Sequence, residues 1–231
     1  MELSAEVGAL FLPSDPANRL YPPHAVLESL LALLNGADVQ SVWDEDETLG
    51  WVYQYYTPKE LRDQARKESA APRNSYELSF RNQFYTPRYV VQFLVENTLG
   101  RLWYEMRRGD TTLVDRCPMM VCRRHPIFLR EGELPSDSSD ATPDVEIVQH
   151  RPTRDPREIK VLDPACGSGH FLLYAFDVLQ TIYEEAWHEP DLGTALRRDF
   201  ADEVAYRRAV PGLILRHNLH GIDIDLRSTQ I

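Results

Sequence analysis

An apolar strand that ends in an acid and runs straight into a tight small-residue loop constrains this chain more than anything else in it. The stretch is Val161-Leu162-Asp163-Pro164-Ala165-Cys166-Gly167-Ser168-Gly169-His170-Phe171. Past the loop a helical stripe begins, with Phe171, Leu172, Ala175, Val178, Leu179, Ile182, Tyr183 and Ala186 on one face. Glycines reach dihedrals closed to other residues and carry no Cβ, so such a loop lets a ligand approach bare backbone. The helix start adds unpaired N–H groups and a partial positive charge. The acid at the strand end offers the opposite, a place for a cationic or hydroxylated part of the same ligand. Further on, Gly221-Ile222-Asp223-Ile224-Asp225 reads as a second strand ending in carboxylates. Together they suggest the nucleoside-cofactor half of an α/β sheet. Taken alone, the loop is also compatible with a plain turn between a structural strand and a structural helix.

What is missing narrows the ligand. A dinucleotide fingerprint needs Gly-x-Gly-x-x-Gly; Gly167 and Gly169 supply two places, but Leu172 holds the third. An acid before the loop would repel a pyrophosphate. No Lys-Ser or Lys-Thr follows the glycines, which excludes a phosphate-cradling loop. Asp163 suits a ligand carrying an ammonium and a sulfonium, as S-adenosylmethionine does. Asp223 suits paired ribose hydroxyls.

At these residues the chain resembles a family. Asp163 to Phe171 is similar to the cofactor motif of adenine-specific DNA methyltransferases, and Gly221 to Asp225 to their second motif. Gln83-Phe84-Tyr85-Thr86-Pro87-Arg88-Tyr89-Val90-Val91 resembles the segment that lies upstream of both. The layout, including Leu49-Gly50-Trp51-Val52-Tyr53-Gln54-Tyr55-Tyr56, resembles the methyltransferases of the BREX phage-defence systems. Restriction–modification methyltransferases are near neighbours. The resemblance implies S-adenosylmethionine as cofactor. It implies that Thr86 contacts the methionine end, that Asp163, Ala165, Gly167 and Gly169 surround the amino-acid moiety, and that Asp223 holds the ribose. Leu226 departs from the pattern, where the family often has proline.

A larger departure concerns catalysis. The family grips its target amine with Asn or Asp followed by Pro-Pro and an aromatic residue, and no such tetrapeptide occurs here. Tyr21-Pro22-Pro23-His24 lies at the wrong end and lacks the leading amide or acid. The chain therefore reads as the front part of a methyltransferase, with no catalytic residue of its own.

Composition sets limits on partners. The formal charge of −11 argues against this segment being the main grip on DNA, because phosphate neutralisation needs a basic surface. Arg107-Arg108, Arg123-Arg124, Arg151, Arg154 and Arg157 read chiefly as solvated faces. Double-stranded DNA is expected to engage a downstream part, and other defence-system proteins are possible partners. Met1-Glu2 starts acidic, and the apolar run behind it is short and broken by Pro13, unlike a signal or a membrane span. The chain reads as cytoplasmic. Cys117, Cys122 and His125 invite a zinc reading, but they make only three clustered ligands, so plain thiols are preferred and no metal is expected. Cys166 has no evident His–acid pair and reads as a small residue that fits its loop.

Along the chain, Leu27, Leu30, Leu31 and Leu34 predict a packing helix over 20–35, and Asp44 to Glu47 a solvated turn. Gln54-Tyr55-Tyr56-Thr57-Pro58 and Gln83-Phe84-Tyr85-Thr86-Pro87 are near-repeats. Each places Thr at an expected N-cap and Pro at the first helical position. A polar helix follows the first, and an apolar stripe (Val90, Val91, Leu94, Thr98, Leu102, Met106) follows the second. Thr86 thus has two compatible readings, helix cap and cofactor contact. A helix over Asp199 to Val210 is expected to end near Pro211-Gly212, with Gly193 in a loop before it. A last helix is expected to begin in Leu226 to Ile231.

The expected fold is α/β: a partial Rossmann-like methyltransferase sheet preceded by a mainly helical amino-terminal region. The expected division is 1–130 helical, 131–158 loop or insertion, and 159–231 the start of the α/β domain. The expected function is the cofactor-binding part of an adenine-specific DNA methyltransferase in phage defence or restriction–modification. The alternatives are methylation of another planar amine, such as a protein glutamine, and a non-catalytic scaffold in a defence complex.

Overall fold

The structure, a computed structural model, describes residues 21–45, 47–55, 57–123, 125–134, 145–226 and 228–230. The apolar run before Pro13, Asp46 of the acidic run, Tyr56, Arg124, the centre of the 131–158 segment and Ile231 lie outside the described residues. The fold is mixed and mostly helical, with two small parallel sheets. The chain falls into two compact units that each draw on separated stretches of sequence. One holds the described residues up to Tyr85 with Pro164–His170 and those from Ile222 on; the other holds Thr86–Asp163 and Phe171–Gly221.

The first unit is built from short helices: α1 (His24–Leu34), α2 (Thr48–Gln54), α3 (Lys59–Glu68) and α4 (Ser75–Arg81). Asn74 caps α4, its side chain accepting from the Glu77 N–H at 2.8 Å. Glu77 is buried and also takes the Arg73 Nε at 2.8 Å and Arg81 Nη1 at 3.2 Å. These bonds, Arg73's first, hold its carboxyl below the usual range. The α1 leucines form the expected helix but not the expected packing, because Leu27, Leu30, Leu31 and Leu34 are all exposed. Nor is the acidic run simply solvated: Glu47 pairs with the buried His170 at 3.1 Å.

The second unit carries the main core. Arg88 to Met106 runs as α5 (Arg88–Val95), a π-helical turn (Glu96–Gly100) and α6 (Arg101–Met106). The large apolar residues it buries are Val91, Val95, Leu99, Trp103, Tyr104 and Met106, whereas Leu94 and Thr98 of the expected stripe are exposed. A π turn holds more residues than an α turn, so it rotates the buried face onto a four-residue progression. At that turn Glu96 is fully buried and accepts from the Met119 N–H and the Tyr174 hydroxyl, each at 2.6 Å. Burial, then the Glu96 bond, push the Tyr174 phenol far above its ordinary range. Pro87 occupies the N-cap of α5 and no side chain caps it, so the expected Thr86 cap is not formed. Likewise Pro58, not Thr57, holds the cap of α3.

Next come α7 (Leu113–Arg116), β1 (Ile127–Phe128) and β2 (Ile147–Val148), the two strands pairing in parallel. The segment expected as loop thus supplies a strand. β3 (Val161–Asp163) and β4 (Leu219–Gly221) form the second parallel pair, with Val161 opposite Leu219 and Asp163 opposite Gly221. Parallel neighbours need a long crossover; here it contains α8 (His170–His188), α9 (Pro190–Asp199) and α10 (Glu203–His217). Ala175, Val178, Leu179, Ile182, Tyr183 and Ala186 of α8 are buried, as their spacing predicts, and Val161 and Leu219 pack on the same core. The buried Asn218 fastens the two strands together. Its Nδ2 donates to the carbonyls of Pro156 and Ile159 at 2.7 and 2.8 Å, while its Oδ1 accepts from Tyr183 at 2.9 Å.

Two expectations in the crossover are corrected. The last helix does not stop at Pro211 but runs through it to His217. An interior proline forfeits one backbone bond, yet Tyr206, Val210 and Ile214 bury one continuous face across it, and packing prevails. Gly193 is no loop residue. It lies buried within α9, where a Cβ would overlap the backbone carbonyl of Trp187. The expected final helix is a short 3-10 turn, Ser228–Gln230.

Gly193→Ala is predicted to cost about 1–3 kcal/mol, the usual range for overpacking against rigid backbone. A urea midpoint equal to wild type would contradict the close approach. Cys117, 3% exposed, has its thiol pushed up to about 12 by burial and by the neighbouring Glu96 charge. Thiol labelling of native protein at pH 8 should therefore modify the exposed Cys122 and spare Cys117 until denaturant is added.

Candidate functional site

The loop behind β3 is shaped by its glycines. Gly167 and Gly169 have φ of 55° and 88°, in the left-handed region that other residues reach only with strain. The Gly169 N–H closes a tight turn onto the Cys166 carbonyl at 2.7 Å. The Cys166 N–H donates to the Ile222 carbonyl at 3.1 Å, tying the loop to the second acidic segment. Among the described residues, no atom beyond the chain neighbours lies within 4 Å of where a Cβ would stand on either glycine. Their constraint is therefore dihedral, and the space beside them is open.

Asp223 couples this loop to the second acidic segment. Its Oδ2 accepts from the Gly167 N–H and its Oδ1 from the Asp225 N–H, both at 2.7 Å. A carboxylate has about four acceptor sites, so two such bonds leave it able to take ligand hydroxyls as well. Asp225 in turn accepts from the Tyr53 hydroxyl at 2.5 Å. On the other side of the loop, the His170 ring stacks on Tyr85, with centroids 4.7 Å apart and planes 4° from parallel. Trp51 packs against the same Tyr85 at 4.8 Å. Burial, with the Glu47 charge, pushes the Tyr85 phenol up to about 12.

Between these groups lies a cavity of about 410 Å³, within the range of small-molecule sites. The loop contributes Pro164, Ala165, Gly167 and Ser168, and the second segment Asp223, Ile224 and Asp225. α2 and the stretch from Leu78 to Tyr85 supply the remaining wall. Of the residues singled out from sequence, Ala165, Gly167 and Asp223 come together around the cavity, and Gly169 sits in the same loop. Thr86 and Asp163 belong to the other compact unit. Thr86 is half-buried ahead of α5, and Asp163 is half-buried at the end of β3. Sequence reasoning gave no role to Gly50, Tyr53, Gln54 or Asp225. The Leu49 to Tyr56 segment stood out, but nothing in its helical pattern points to a cavity wall formed with residues far along the chain.

Three of the arginines read as solvated faces pair with carboxylates. Arg107 pairs with Asp110 and Glu189, Arg151 with Glu105, and Arg157 with Asp155 and Asp199. Among the described residues no group of three or more His, Cys, Asp or Glu side chains is placed to hold a metal ion. Among them, too, no helix is long and apolar enough to cross a membrane.

Comparison with known proteins supplies a class. No family model matches the chain. It is 30% identical over 223 residues to the adenine-specific methyltransferase BrxX of Escherichia coli O9:H4 (strain HS), an alignment covering 94% of this chain and 15% of that protein. It is 33% identical over 189 residues to the adenine-specific methyltransferase PglX of Lacticaseibacillus casei (strain Zhang), covering 80% of the chain and 13% of the relative. By sequence, then, the chain resembles part of two proteins named adenine-specific methyltransferases. It is PglX/BrxX-like over most of its length, while spanning 13% to 15% of the length of these curated relatives.

Gly167→Ala and Gly169→Ala should each destabilise the loop by about 1–2 kcal/mol through left-handed backbone strain alone. Native-state hydrogen exchange at the Gly169 N–H would report this as faster opening. Unchanged protection in both variants would mean that the loop does not need its glycines.

Proposed function

We propose that this chain forms the S-adenosylmethionine-binding part of an adenine-specific DNA methyltransferase, which methylates the exocyclic amine of adenine in phage defence or restriction–modification. The observation that carries the reading is the bond from the Gly167 N–H to Asp223, which sets an open glycine loop against an acid-ended segment at the mouth of a cavity. The likeness to two proteins named adenine-specific methyltransferases supports it.

The residues present fit this cofactor. The open space beside Gly167 and Gly169 admits a ligand to bare backbone. Asp223, already oriented by two backbone donors, would accept the ribose hydroxyls. Ala165 is small enough to leave the loop accessible. Asp163 and Thr86, which belong to the other compact unit, enter this reading only through the resemblance to the methyltransferase motifs. Bound there, the cofactor would supply an electrophilic methyl group. The protein's part is to bind and orient, since alignment of reacting groups accounts for much of the acceleration in such transfers. The target adenine must leave the duplex to reach a pocket of this kind. In this reading, which the charge of −11 and the lack of an Asn/Asp-Pro-Pro-aromatic tetrapeptide support, DNA grip and amine positioning fall to residues outside this sequence.

Isothermal titration should show S-adenosylmethionine binding to this chain. Asp223→Ala should weaken it about ten- to a hundredfold, since charge-assisted hydrogen bonds are worth about 1.5–3 kcal/mol. Unchanged affinity would remove Asp223 from the site, and no binding by wild type would sink the cofactor reading. Incubated with unmethylated DNA and methyl-labelled cofactor, this chain alone should transfer no label. Transfer would overturn the assignment of catalysis to other residues.

A further inference from the structure

We infer that Tyr53 is a positioning residue for the cofactor loop, acting through Asp225 and Asp223 from a helix far upstream in sequence. The inference rests on the methyltransferase reading only for the identity of the ligand. The chain of contacts is short and continuous within one compact unit. The Tyr53 hydroxyl donates to Asp225 Oδ2 at 2.5 Å, the Asp225 N–H to Asp223 Oδ1 at 2.7 Å, and the Gly167 N–H to Asp223 Oδ2 at 2.7 Å. Bonds to a carboxylate are short and strong relative to neutral pairs, and here three follow one another from α2 to the glycine loop.

The remainder of α2 is fitted to the same task. Gly50 is buried, and a Cβ there would overlap the Tyr85 ring and come within 2.9 Å of Ser168 Oγ in the loop. Gln54 Oε1 accepts from the Tyr85 N–H at 2.5 Å, and Gln83 Nε2 reaches the Tyr53 carbonyl at 3.4 Å. One face of the helix therefore places glycine where the loop and Tyr85 come closest, then tyrosine against Asp225, then glutamine against the Tyr85 backbone. All three residues line the cavity. A helix kept only for packing has no need to aim a phenol at a carboxylate two residues beyond the one that holds the loop. Asp225 is the intermediary. Ser228 also bonds the Asp225 carbonyl, so the Tyr53 bond acts on the Asp225 side chain and, through it, on the N–H that fixes the second oxygen of Asp223.

The test uses the full chain, wild type and Tyr53→Phe, with two readouts. Hydrogen exchange at the Gly167 N–H needs no ligand and reports the loop directly. It should quicken at least fivefold in Tyr53→Phe, while amides in the middle of α8 keep their protection. Titration with S-adenosylmethionine should show about a tenfold loss of affinity, the size expected for one charge-assisted bond. The Tyr53→Phe/Asp225→Asn double variant should lose no more than the worse single variant, because both act on one path. Unchanged Gly167 exchange in Tyr53→Phe, or additive losses in the double variant, would overturn the positioning role. Faster Gly167 exchange in a protein whose wild type binds no S-adenosylmethionine would retain the positioning role and discard the cofactor reading instead.

Discussion

One hydrogen bond organises the candidate site: the Gly167 N–H donating to Asp223 at 2.7 Å. It joins two segments that are far apart in sequence, Pro164–His170 and the residues from Ile222 on, within one compact unit. A second bond, from the Cys166 N–H to the Ile222 carbonyl at 3.1 Å, ties the loop to the same segment. The same carboxylate that a ribose would use is thus already part of the loop's architecture. In the proposed reading its roles in binding and in loop structure are therefore coupled.

Much of what positions the site was legible in the sequence because it follows from local rules. The α8 stripe obeys helical spacing without interruption, so its buried face from Ala175 to Ala186 could be named in advance. The two strands were visible because each apolar run stops near a carboxylate, and their parallel pairing matches a sheet with helices in the crossover; β3 ends on Asp163 as expected, but β4 ends at Gly221, two residues short of Asp223. The features that escaped depend on tertiary context. The π turn at Glu96 rotates the face of α5 and α6, and a simple periodicity count cannot contain it. Pro211 reads as a helix stop until the packing of Tyr206, Val210 and Ile214 is known. Gly193 reads as a loop for the same reason, its need for a bare backbone coming from Trp187 at the end of the preceding helix.

The cavity wall is the clearest case of information absent from local sequence. Tyr53 and Asp225 are separated by most of the chain, yet their side chains meet at 2.5 Å. Neither residue type is unusual where it stands, and no spacing rule links them. Likeness to BrxX and PglX marks the region without saying which of its residues face the ligand. Thr86 shows the reverse. The sequence supported a cap, and the structure gives that place to Pro87, leaving the threonine hydroxyl outside the helix.

The central claim is that the loop, Asp223 and Asp225 form one ligand-binding surface. Amide chemical-shift mapping with S-adenosylhomocysteine, a ligand that shares the adenosine and amino-acid groups, tests it most directly. Adding the ligand to the labelled chain should move the Gly167, Gly169, Asp223 and Asp225 resonances together along one saturable curve, with the interior of α8 unmoved. Saturable shifts confined to other residues, or none at all in these four, would contradict it.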